Sequence, residues 1–534
     1  MSRHASYPWI RIGLLACLLM LVPSSSFCLS QYLTKQITTD EYTKIQLNFA
    51  LQQNNDAALQ HAWQQSTKHS DSWLLLAKKL AKRQGQAAYQ LAGFYLEKKS
   101  ISQAIVWYQQ AIRLEFPPAF VALAQYYFDL NNFTGADDIL AQLAKVAAKF
   151  EDQSNTLAAQ ILRINLAVNR GDINVVKQSI AGFTKQLKNN KQGRLLLDNI
   201  SKYQVLSVSD NNKHAATCAN SIQLFATRFA HLQRLEQLIK GVEQYALKQT
   251  VCFAPVRYIA INALACRAEA AQAIQCNEQH WQHLAESINT RFVGAMLPEG
   301  GANVHLGALY IDVNDNIDVL VHEISHLLGF VDEYPLAKDH VACKVAQEQA
   351  FSENIAVLAS RYQGSRADIR AKILLQLAWG QQIKASTPIL QLMPGQASLT
   401  PQKWWLGTPK QFADEVGIFT AQTCDNTVNS ITVNDNTVNN NIVSDNLSGK
   451  SHYSAYKPLA KSTKMQYFSL AFPPEYLSFL QEGAFQFLMP SFHYNIALAH
   501  FQQGNLTQAN FWLKRSALWE SKQGRREKVL QGSF

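Results

Sequence analysis

Five consecutive residues, His322-Glu323-Ile324-Ser325-His326, have the types and spacing that a metal-assisted reaction requires. Asn314-Asp315-Asn316 supplies caps for a helix, and Ile317, Val319, Leu320 and Val321 begin its apolar face. Histidines four apart on a helix share one face and reach one ion, while Glu323, next to the first of them, is rotated off that ion. A carboxylate so placed takes a proton from a water molecule and hands it to a leaving amine. Three residues beyond His326, Gly329 is suited to the left-handed conformation that ends a helix and turns the chain back. The turn would carry Asp332 to the metal as the third ligand. Glu333 is the next candidate and His340 a more distant one, and the competing reading of Asp332 is a surface acid closing a helix.

The run HExxHxxGxxD resembles the metzincin-type peptidases, with Asp332 where a third histidine is usual, a substitution that snapalysin-type enzymes show. Its extension through Asp332-Glu333-Tyr334 is similar to the bacterial IgA-peptidase-type metallopeptidases. The resemblance implies an α+β catalytic domain and a zinc ion held by His322, His326 and Asp332. It also implies Glu323 as general base and hydrolysis of peptide bonds in a protein or peptide substrate. Zinc in such a site lowers the pKa of a water and polarises the scissile carbonyl. Tyr334 is a candidate donor to the developing oxyanion, with packing before Pro335 as the competing reading. Such enzymes also place a methionine in a turn beneath the metal. Met465 is the first candidate, with Tyr467 beside it as a further donor, and Met393 is the second. His280 and His283, three apart around Trp281, read as surface or core filling.

The elements that must position these groups fall into three stretches. Over 31–212 apolar residues recur at helical spacing, and small and aromatic residues alternate, as in Ala88-Tyr89-Gln90-Leu91-Ala92-Gly93-Phe94-Tyr95. The pattern restarts at Ala119-Phe120-Val121-Ala122-Leu123-Ala124-Gln125-Tyr126-Tyr127 and resembles Sel1-like and tetratricopeptide repeats, which stack helical hairpins. Residues 485–534 repeat it once, with Tyr494-Asn495-Ile496-Ala497 and Ala509, Trp512 and Ala517 on either side of Gly504-Asn505. A lone hairpin cannot bury its own face, so it must pack on another part of the chain. Between them, 213–484 reads as a mixed α+β catalytic domain, with strands expected at Thr250–Ala260 and Leu306–Asp312 and a helix or strand at Leu284–Phe292. Inside it, 426–446 is an Asn-rich, low-complexity surface insertion without calcium-loop spacing.

Residues 1–30 read as an export signal: Arg3 and Arg11, then an apolar run from Ile12 to Val22, then Pro23 and serines, with cleavage near Ser26 or Ser30. The run is too short for a comfortable span, and no other stretch is long enough. The chain is therefore expected to be periplasmic or secreted, with a lipid anchor at Cys28 as the alternative. Loss of Cys17 and Cys28 leaves six cysteines, none in a C-x-x-C pair, which favours disulfides over a zinc–thiolate site. The expected pairs are Cys218–Cys252, Cys266–Cys276 and Cys343–Cys424. The net charge of +10 is scattered, so it reads as a solvated surface, and export argues against nucleic acid. Two other functions fit this layout: a binding scaffold in which the repeats hold a protein partner and the metal site is structural or a relic, and a peptidoglycan-directed amidase or peptidase.

Overall fold

The structure, a computed structural model, describes residues 27–147, 153–206, 218–270, 272–336, 349–395, 397–398, 400–424, 453–482 and 486–533. The expected export signal up to residue 26, Cys17, His340 and the 426–446 segment lie outside the described residues. An N-terminal run of about 11 helices (27–202) is followed by a mixed α/β region and C-terminal helices. Contacts divide the chain into two compact units, 1–167 with 175–196, and 168–174 with 197–534.

Four helices of the first unit end in the same way. At Asn54, Lys99, Glu115 and Asn131 the backbone enters the left-handed region, with φ of 51°, 58°, 53° and 60°. The amide of each following residue bonds five residues back: Asn55 to Ala50, Ser100 to Tyr95, Phe116 to Ala111 and Asn132 to Tyr127. This double-bonded stop satisfies the last carbonyls and lets the next helix start at once. The small residues of the alternating pattern then face inward. Ala87, Ala88, Ala92, Ala111, Ala119 and Ala124 are buried beside Leu91, Phe94, Tyr108 and Phe120, so close backbones and interleaved rings share one core. At the start of the chain, Leu33 and Ile37 on the helix over 27–38 pack with Ala50 and Ala58.

The second unit contains β1 (Ser221–Ala226), β2 (Cys252–Phe253), β3 (Arg257–Tyr258), β4 (Cys266–Arg267), β5 (Gln275–Cys276), β6 (Phe292–Leu297), β7 (Asn303–His305) and β8 (Ala308–Asp312). Six of them form a sheet in the order β2-β1-β6-β8-β7, with β3 also pairing β1. β4 and β5 form a separate hairpin. The expected strand over 250–260 is thus two short edge strands, and 284–292 divides between the helix Gln282–Ala285 and the start of β6. All six residues of β1 and of β6 and all five of β8 are buried. They run parallel and are covered on both faces, the usual condition of parallel strands.

One face carries the helices Phe229–Val242 and Ile317–Leu327, which also meet each other: a Cβ on Gly241 would lie 3.1 Å from Ile317 Cδ1. The other carries the C-terminal hairpin, where Phe492, Ile496, Ala497 and Trp512 join Phe225, Val293, Ala295 and Tyr310 in one cluster. Arg291 fastens it, since its guanidinium donates to the carbonyls of Met489 and Trp519 and to Glu520 Oε1. Cys218–Cys252 and Cys266–Cys276 are disulfides, as expected. Cys424 is disulfide-bonded too, and its expected partner Cys343 lies outside the described residues. Cys28 is exposed and not in a disulfide. No described helix is long and apolar enough to cross a membrane.

Candidate metal centre

The helix Ile317–Leu327 starts where Asn316 Oδ1 accepts from the amides of Asp318 and Val319, at 2.9 and 3.1 Å. A cap of this kind contributes about 1 kcal/mol. Its buried side, Leu320, Val321, Ile324 and Leu327, fixes the rotation of the helix against the sheet. That rotation places His322, 1 % exposed, and Glu323, 4 % exposed, inside the unit. The helix stops at Gly329, whose φ is +96°. Phe330 N bonds Ser325 O and Gly329 N bonds His326 O. Any side chain at Gly329 would be strained twice, by the backbone conformation and by Phe487, whose carbonyl carbon and oxygen lie 2.6 Å from the site of a Cβ. The reversal brings Asp332 back over the two histidines, and Thr423 Oγ1 donates to the Asp332 carbonyl at 2.8 Å to hold it there.

The three expected ligands converge. His322 Nε2 and His326 Nε2 are 3.1 Å apart, and Asp332 Oδ1 lies 3.1 Å from the first and 3.4 Å from the second. Around a zinc-sized ion with bonds of about 2.0–2.1 Å, tetrahedral ligand atoms stand about 3.3 Å apart. Among the described residues this is the group of His, Cys, Asp and Glu placed to share an ion. The ring orientations agree with that use. His322 Nδ1 faces the Lys464 carbonyl and His326 Nδ1 the Phe330 carbonyl, each at 2.9 Å. A carbonyl only accepts, so each Nδ1 carries the proton and each neutral ring turns a bare Nε2 inward. Carbonyls that orient ligating imidazoles in this way are the usual support of a metal ligand.

Two bare imidazole nitrogens and a carboxylate oxygen at these distances repel one another unless positive charge lies among them. A proton goes part of the way. Burial opposes charge on His326, but Asp332, Glu323 and the Phe330 carbonyl outweigh it and push its pKa up to about 9. Burial likewise opposes charge on Asp332, yet the two histidines hold its carboxyl well below the ordinary carboxylate range. One proton lies on one nitrogen and serves one edge of the triangle at best, whereas a cation at the centre serves all three. Asp332 Oδ1 and the adjacent Glu323 Oε2 are both buried without a hydrogen bond, so the acceptors here outnumber the donors. Burial, more than any neighbour, raises the pKa of Glu323, and the residual charges of His326 and His322 oppose that rise. A carboxyl poised in this direction suits proton transfer.

The other candidates separate clearly. Glu333 is turned away from the triangle into a cluster of donors, with Lys457 Nζ at 2.8 Å and Thr463 Oγ1 at 2.9 Å. Tyr334 lies against Asp332, where burial first, then the charges of Asp332 and Glu323, raises its pKa. It shares a cavity of about 400 Å³ with Val319, Gln466, Tyr467 and Phe468. Met465 is fully buried, and its carbonyl accepts from Glu333 N at 2.9 Å. Met393 sits at the end of a separate three-stranded sheet. His280 and His283 are exposed. Missing from the sequence reading were Lys464, whose carbonyl orients His322, and Phe468, whose ring lies 4.4 Å from that of His322. Only the proximity of both to Met465 in the chain pointed to them.

Comparison with protein-family models, with curated proteins and with solved structures gives no match to this chain.

Proposed function

We propose that this chain is an exported, zinc-dependent metallopeptidase of metzincin-like type. The observation that carries the reading is the triangle of His322 Nε2, His326 Nε2 and Asp332 Oδ1 with the buried Glu323 carboxyl beside it. Two imidazoles and a carboxylate are a donor set suited to zinc, and three protein ligands leave a position for substrate or water. A bound zinc ion supplies Lewis acidity for the carbonyl and lowers the pKa of water. Glu323 takes a proton from the attacking water as its oxygen bonds to the carbonyl carbon. It returns that proton to the nitrogen as the carbon–nitrogen bond breaks. Tyr334, beside Asp332 on the wall of the cavity, is placed to donate to the carbonyl oxygen as charge builds on it. The exposed rings of Tyr467 and Phe468 give that cavity a largely apolar rim, which fits the side chain of a peptide better than a bare amide. The N-terminal helices, read as Sel1- or tetratricopeptide-like repeats, supply a surface for a protein partner or substrate. The disulfides suit an oxidising compartment.

Zinc analysis and hydrolysis of a mixed peptide library test the reading together. The wild type is expected to carry about one zinc per chain and His326→Ala close to none. Glu323→Gln is expected to keep the zinc and lose about 10²–10⁴-fold in hydrolysis. A folded wild type without zinc, or full activity in Glu323→Gln, would sink it.

A further inference from the structure

Glu333 follows Asp332 directly, is 1 % exposed, and has no part in the triangle of ligands. Its carboxylate gathers four donors from three stretches of chain, around Asn354, over 457–463 and at Tyr476. Lys457 Nζ, on the strand Tyr453–Lys457, reaches Oε2. Thr463 Oγ1, Asn354 Nδ2 and the hydroxyl of Tyr476 all reach Oε1. The Glu333 amide adds a fifth tie, to the carbonyl of Met465.

The places where these ties land coincide with the supports of the ligands. Thr463 and Met465 flank Lys464, so Glu333 grips the chain on both sides of the residue whose carbonyl orients His322. Asn354 also pairs with the amide and carbonyl of Val331, so Asp332 lies between two residues held by the same side chain. The ring of Tyr476 stacks on Phe330, centroids 5.0 Å apart and 11° from parallel, and the Phe330 carbonyl orients His326. All three ligands are thus one residue or one ring away from the Glu333 cluster. A buried ion pair is a poor way to gain stability, because desolvation offsets most of the attraction. Fixing the direction of several backbone groups at once is what such a cluster does that an apolar plug would not.

We propose that Glu333 is a positioning residue for the metal centre, holding the backbone of Asp332 and the carbonyls behind both histidines in ligating geometry. The proposal rests on the metal-site reading above. Its test uses the full chain as wild type, Glu333→Gln and Tyr476→Phe, with two readouts besides activity: Zn²⁺ affinity by chelator competition, and the visible spectrum after substitution with Co²⁺. Glu333→Gln is expected to weaken Zn²⁺ binding about 10–100-fold and to change the Co²⁺ spectrum in protein that is still folded by circular dichroism. Tyr476→Phe removes one donor and keeps the stacked ring, so it should shift both readouts the same way by less. A role in stability alone would lower the unfolding temperature and leave the Co²⁺ spectrum of the folded protein unchanged. Folded variants with wild-type affinity and spectrum would overturn the proposal alone. Should Glu333→Gln fail to fold, Tyr476→Phe decides by the same two readouts. A wild type that binds neither ion would overturn the metal reading and this proposal with it.

Discussion

Asp332 and Glu333 are adjacent carboxylates, and the two regions they enter have opposite balances. Around Glu333 every recorded contact brings a donor: an ammonium, two hydroxyls and an amide. Around Asp332 stand the Tyr334 hydroxyl and two imidazole nitrogens whose protons are engaged on the far side of each ring. Glu333 is sealed from water, whereas the side chain of Asp332 is 15 % exposed. The first is a finished structure, because its charge and hydrogen bonds close within the chain. The second has an excess of acceptors that the proposed metal ion would balance. Burial and a nearby histidine alone do not separate a proposed ligand from a structural acid; the balance of donors and acceptors is what favours the ligand role for Asp332.

The largest stability effect that probes this difference is expected at Lys457, whose side chain is 7 % exposed and pairs with Glu333. Lys457→Met leaves a buried carboxylate without its cation and should cost about 3–5 kcal/mol of folding stability, with zinc present or absent. Urea unfolding in excess chelator measures it. A cost that appeared only with zinc bound would mean that the two regions are one, and the contrast drawn above would fail.

A smaller, conditional effect is expected at the other carboxylate. Zinc at 100 times its dissociation constant should stabilise the wild type by about 2.7 kcal/mol, since it binds the folded chain. Asp332→Asn replaces a charged ligand by a neutral one, so most of that gain should vanish at the same zinc concentration. Retention of the full zinc-dependent gain in Asp332→Asn would show that Asp332 is a closed structural acid like its neighbour.

How much of this could be read from the sequence depends on how far apart the partners lie. The helix Ile317–Leu327, its stop at Gly329 and the return to Asp332 occupy one short run, so periodicity, a cap and one glycine were enough to place them. The helical repeats were legible for the same reason: each turn and each alanine–aromatic pairing is local. The Cys266–Cys276 hairpin closes a short loop and was equally plain. By contrast, Glu333 stood as a rival ligand, because its donors lie 21 residues away at Asn354, 124 at Lys457 and 143 at Tyr476. No local pattern joins residues across such distances. The C-terminal hairpin was legible as a hairpin, but not the sheet face it covers, since its apolar residues say only that something must be covered.

A third buried polar group, one that stays neutral, gives the smallest effect. His231, on the helix Phe229–Val242, is 6 % exposed and its Nδ1 has no hydrogen bond. Burial, with a lesser push from Arg228, lowers its pKa to about 4, so it stays neutral. The unfolded chain takes a proton there near pH 6.5. The unfolded state therefore binds more protons than the folded one as pH falls below 6.5. The stability tied to the neutral ring is complete above that value and is lost as pH falls through 4. Between pH 7 and pH 5 this residue should account for on the order of 1–2 kcal/mol of lost stability. In His231→Leu the decline over that interval should be shallower by that amount, measured as the difference in urea midpoints. An equally steep decline would mean that His231 finds a proton partner in the folded state. It would then belong with Glu333, among the groups whose contacts close within the chain.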